Sequence, residues 1–114
     1  MNKPLLAILL LASGAAQAEG ESAADCAALW QGVALEAADN PNLSGSPESA
    51  SLLARQFSVT AASEGLSGPP LRRAILDALP GYRLLYRGVI AGDAESQEAF
   101  DALSEACSGL LAQS

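Results

Sequence analysis

The chain is expected to fold as an all-α protein, a small bundle of four to five helices. Three observations predict this. Alanine and leucine dominate while Val, Ile, Thr and aromatic residues are scarce, which is a helix-forming composition. Apolar residues recur at spacings of three and four, and nothing alternates with a period of two for long. Two cysteines, Cys26 and Cys107, stand near opposite ends of the chain, placed to join a first helix to a last one.

The chain opens with Lys3, an apolar run from Leu5 to Ala12, and Ala16-Gln17-Ala18. That order of charge, apolar stretch and small residues predicts an export signal over residues 1–18, cleaved after Ala18. The run is far shorter than the ~20 residues a spanning helix needs, so no membrane anchor is expected. The remainder, 19–114, is long enough for a single helical domain and too short for two. Its composition points to a bacterial periplasmic protein, with secretion into the medium as the other destination. In such a compartment two cysteines are expected to pair. A bridge of this span stabilises a small domain by about 2–4 kcal/mol.

The first helix is expected over about 22–38, where Cys26, Leu29, Trp30, Val33 and Ala37 form one stripe. Trp30, one turn after Cys26, should pack over the disulfide. Asn40-Pro41 ends the helix, because the residue before a proline avoids the helical region. A loop follows over 40–47. Ser46 then caps the second helix, with Pro47 at its first position and Glu48 in its first turn. Its buried side reads Leu52, Leu53, Phe57, Thr60 and Ala61, and Gly65 closes it. A linker is expected over 66–70 and a short third helix over 71–79, with Leu71, Ile75, Ala78 and Leu79 inward. Pro80-Gly81 favours a turn there, with a kinked continuous helix as the other outcome. A fourth helix, 82–91, ends at Gly92. Asp93 caps a fifth, whose stripe is Phe100, Leu103, Cys107 and Leu110. Cys26 lies early in the first helix and Cys107 late in the last. A bridge requires Cα atoms within about 7 Å, so these two helices should pack antiparallel.

The residue inventory argues against catalysis. The sequence has no histidine, and its one lysine, Lys3, lies in the leader. The commonest general base and the Schiff-base amine are therefore missing, and paired cysteines supply no thiolate. No cofactor is expected. Asn40, Asn42, Ser44, Gly45 and Glu48 fall at spacings resembling a calcium loop, but Ser51 stands where a bidentate Glu is required, so no metal is expected. Asn42-Leu43-Ser44 is also a glycosylation sequon, meaningful only in a eukaryotic host. Glu98, Asp101 and Glu105 share one helical face and read as a solvated acidic surface. The formal net charge is −7, and it becomes more negative once Lys3 is removed. Such a body repels nucleic acid and anionic lipid at long range.

One segment runs against this charge. Arg72, Arg73, Arg83 and Arg87 cluster with both tyrosines, and GYRLLYRG spans 81–88. On a helix, Tyr82, Leu85, Tyr86 and Val89 face inward, while Arg83 and Arg87 lie on the flank and Leu84 further round. Two outcomes follow from this pattern. The arginines pair with acidic neighbours such as those on the last helix, or the face binds a partner. Arg and Tyr are residue types that dominate interface hot spots. The expected binding face is therefore Arg72, Arg73, Tyr82, Arg83, Leu84, Tyr86 and Arg87, with an acidic periplasmic protein as partner. The alternative is a carrier or sensor of a small anionic or apolar ligand held between the helices. In size and gross plan the chain resembles periplasmic acid-stress chaperones and some toxin-immunity proteins. That resemblance implies a small helical architecture and transfers no site.

Overall fold

The structure is a computed structural model that describes residues 22–41, 43 and 46–113. The expected signal segment, residues 1–18, lies outside the described residues, as do Asn42, Ser44 and Gly45 of the calcium-like loop. Among the described residues there are four helices and no strand: α1 (22–38), α2 (Pro47–Ser63), α3 (Gly68–Ile90) and α4 (Ala94–Gln113). None of them is long and apolar enough to cross a membrane.

α1 is the helix around which the others gather. Only Ser22, Asp25, Leu35 and Ala38 of its residues are exposed. Its many alanines favour the helix and leave room for neighbours to approach on several sides. α2 packs along Leu29, Val33 and Ala34 through Phe57 and Ala50. α4 packs along the Cys26 and Trp30 side, where the Trp30 ring meets Phe100 edge-on at 5.8 Å. α3 approaches α1 tightly at Gly32, where an added Cβ would stand 3.3 Å from the Arg83 backbone nitrogen and 3.4 Å from Tyr82 Cβ. Advancing from 26 to 30 along α1 corresponds to retreating from 107 to 100 along α4, so these two helices are antiparallel.

The Cys26–Cys107 disulfide is present, with Cα atoms 5.7 Å apart and 81 residues of separation. It sits in the main core cluster with Ala27, Leu29 and Phe57, against which Trp30 and Tyr82 pack. Leu29 and Phe57 are its largest fully buried side chains.

Two turns use glycine for a physical reason. Gly65 (φ 97°) follows α2 and Gly92 (φ 83°) follows α3. In each, a left-handed residue lets the next N–H fold back on the helix: Leu66 donates to the Ala61 carbonyl and Asp93 to the Gly88 carbonyl, both at 2.9 Å. Asp93 then caps α4, accepting from the Ser96 N–H at 3.0 Å and the Ser96 hydroxyl at 2.6 Å. Ser46 caps α2 as expected, accepting from the Ser49 N–H at 3.3 Å.

Three expectations are corrected. Pro80-Gly81 does not form a turn: α3 runs unbroken from Gly68 to Ile90. The reason lies in phase. Leu71, Ile75, Ala78, Leu79, Tyr82, Leu85, Tyr86 and Val89 make one continuous half-buried stripe, while Pro80 and Gly81 fall on the exposed side. Proline costs an interior helix roughly 3 kcal/mol. Here a half-buried stripe that spans both sides of the proline compensates, and Pro80 itself stands on the exposed side with Leu76 one turn before it. The expected linker at 66–70 is also shorter, because Pro69 and Pro70 belong to the first turn of α3, where a missing N–H costs nothing. Leu52 is not buried but 54% exposed. Ala50, Ala54, Phe57 and Ala61 set the inward phase of α2, and Leu52 lies off it.

Candidate functional site

The described residues bury two polar side chains, Glu36 and Thr60. Thr60 solves its burial locally, since its hydroxyl donates to the Gln56 carbonyl at 3.1 Å. Glu36 needs two partners from another helix. Arg83 Nε donates to Glu36 Oε2 at 2.6 Å, Arg87 Nε to Oε1 at 2.9 Å, and Arg87 Nη2 to Oε2 at 3.3 Å. Arg83 and Arg87 stand one helical turn apart, so two guanidinium groups close on one carboxylate. Arg83 Nη2 also lies 3.7 Å from Asp39 Oδ2.

The electrostatics follow from this geometry. Hydrogen bonding from Arg87 does most to hold the Glu36 carboxyl below its ordinary pKa, burial pushes it the other way, and Arg83 adds to the lowering. The clamp is dry on one side only. The Glu36 side chain is 5% exposed, while Arg83 and Arg87 are 30% and 57% exposed.

The residues expected to form a binding face therefore separate. Arg83 and Arg87 turn to Glu36. The anticipated pairing with acidic residues of the last helix is replaced by pairing with α1, because the flank of α3 that carries both arginines faces α1 at Gly32 and Glu36. Tyr82 packs against the main core cluster, and Tyr86 tilts onto Phe100 with ring centroids 5.3 Å apart. Leu84 is 68% exposed on the open side of α3, and Arg72 and Arg73 are exposed with no ion pair among the described residues. Leu76, 56% exposed, lies on the same side as Leu84, with exposed Pro80 between them at helical spacing. The result is an apolar ridge, Leu76-Pro80-Leu84, with Arg72 and Arg73 at one end and the outer edge of Arg87 at the other.

Glu36 was missed by the sequence reading. Its signal was present: it sits three residues after Val33 and seven after Leu29, inside the apolar stripe, and a carboxylate in a stripe demands a cation. The acidic trio of Glu98, Asp101 and Glu105 is exposed, with Gln97 donating to Asp101 Oδ1 at 2.8 Å. No group of three or more potential metal ligands occurs among the described residues.

A second feature lies at the disulfide end. A hollow of about 230 Å³ opens between the start of α1 and the end of α4, walled by Leu29, Tyr82, Leu103, Leu110 and the two cysteines, with Ser22 and Asp25 among its exposed lining. Burial first, and the Asp25 charge second, raise the pKa of the Tyr82 hydroxyl.

No protein family, curated protein or solved structure matches this chain.

Proposed function

We propose that this chain is a non-catalytic, disulfide-clasped binding module of the periplasm that docks an acidic protein segment on the outward face of α3. The observation that carries the reading is the Leu76-Pro80-Leu84 ridge. Large apolar side chains stand more than half exposed on a helix whose opposite face is already packed, and exposed Arg72 and Arg73, which form no ion pair among the described residues, adjoin them. An apolar ridge with cationic ends suits a partner helix carrying apolar residues flanked by Asp or Glu. The disulfide supports an oxidising compartment, and the acidic body disfavours nucleic acid. Within this reading Arg83 and Arg87 fix the orientation of α3 against α1, and the exposed part of Arg87 borders the docking face.

A photo-crosslinking residue placed at Leu84 in the native compartment tests it. The expected result is a discrete crosslinked product containing one acidic protein, lost in Arg72→Glu/Arg73→Glu and absent when the probe replaces exposed Val59 on α2. Equal products from both positions, or none from Leu84, would reject the α3 face.

A further inference from the structure

The hollow beside the disulfide lies apart from the Leu76-Pro80-Leu84 ridge, because Tyr82, its α3 wall, belongs to the half-buried side of that helix. Its other walls come from two helices: Leu29 of α1, Leu103 and Leu110 of α4, and the cysteines that join them. At about 230 Å³ it exceeds the ~150 Å³ apolar cavity that accepts benzene, so a six-membered ring with a short arm fits. Walls of this kind select against charge. An ion set among leucines gives up its hydration, and no Arg or Lys lines the hollow to compensate an anion. The α3 wall supplies a polar handle. The Tyr82 hydroxyl makes no side-chain hydrogen bond among the described residues. Burial, and to a lesser degree the Asp25 charge, raise its pKa, so at neutral pH it stays protonated and able to donate. Apolar walls with a placed donor are the usual build of a small-molecule site.

We propose that this hollow binds a small neutral ring compound carrying one hydrogen-bond acceptor, of the aryl ketone type. The ring lies against Leu29, Leu103 and Leu110, and the acceptor oxygen takes the hydrogen bond of the Tyr82 hydroxyl. Binding is non-covalent, and its specificity lies in the absence of charge and in that one hydrogen bond. The docking face on α3 takes no part in it, so either assignment can fail alone.

Three ligands of similar size separate ring, acceptor and charge: ethylbenzene, acetophenone and benzoate, each titrated at neutral pH into the disulfide-bonded protein and followed by methyl NMR. Ethylbenzene and acetophenone are expected to shift the Leu29, Leu103 and Leu110 methyls, and benzoate to leave them in place. Tyr82→Phe should weaken acetophenone about fivefold and leave ethylbenzene unchanged, so that the loss reports the hydrogen bond and not the fold. Leu103→Trp should fill the hollow and abolish binding of both neutral ligands. No shift with either neutral ligand, benzoate binding as tightly as acetophenone, an acetophenone affinity unaltered by Tyr82→Phe or lost equally with that of ethylbenzene, or shifts confined to residues outside the hollow would overturn the assignment.

Discussion

The two ends of α1 are held by opposite means. Near its start, Cys26 is bonded to Cys107 of α4 inside an apolar cluster with Leu29 and Phe57. Near its finish, Glu36 is gripped by Arg83 and Arg87 of α3 at the edge of solvent. The first tie answers to reductant and ignores acid. The second answers to acid and ignores reductant. Together they show how a small helical domain with few large side chains can fix its central helix: alanines let the neighbours approach, and two strong cross-links set the register. The ionic tie also explains why an arginine pair on an otherwise acidic protein need not be a binding surface.

The comparison breaks most visibly at the disulfide. Cys26→Ala/Cys107→Ala should cost about 2–4 kcal/mol, read as a large drop in Tm, and should leave the Glu36 clamp formed. Glu36→Gln should cost less, about 1–3 kcal/mol and toward the lower end because both guanidinium groups reach water. Urea unfolding measures it, with no change in the free-thiol count. Asp39→Asn sharpens the ranking from below. Its contact with Arg83 is 3.7 Å long and its side chain is 70% exposed, so roughly 0–0.5 kcal/mol is expected by the same measurement.

The difference between the ends is also a difference in what could be read from the sequence. Cysteine pairing needs only two residues and a compartment, and the antiparallel packing of α1 and α4 followed from where those cysteines lie. The caps at Ser46 and Asp93 and the stop at Gly65 were legible because each depends on local backbone chemistry. The continuity of α3 through Pro80 was not, since a local breaker was outweighed by a stripe packed on both sides of it. The Glu36 clamp was half legible. The arginines were visible as a pair needing acid, but their partner lies 47 and 51 residues away, and only tertiary packing brings it there. The Leu76–Leu84 ridge depended on the same continuity, because a turn at Pro80-Gly81 would have split it.

The pH dependence of stability tests most directly whether two independent ties hold α1. The Glu36 carboxyl titrates below its ordinary value of about 4.5 in the folded chain. The stability it contributes is therefore complete above that value and declines as pH falls toward the lowered one. The capping carboxylates Glu48 and Asp93 are lowered too, each chiefly by a serine hydroxyl, so the native protein and Glu36→Gln share that background. Urea unfolding of both proteins between pH 7 and pH 3, with and without reductant, should show the native protein losing more stability below about pH 4.5 than Glu36→Gln, by the same margin whether or not the disulfide is intact. Superimposable acid profiles, or a margin that vanishes on reduction, would contradict the account.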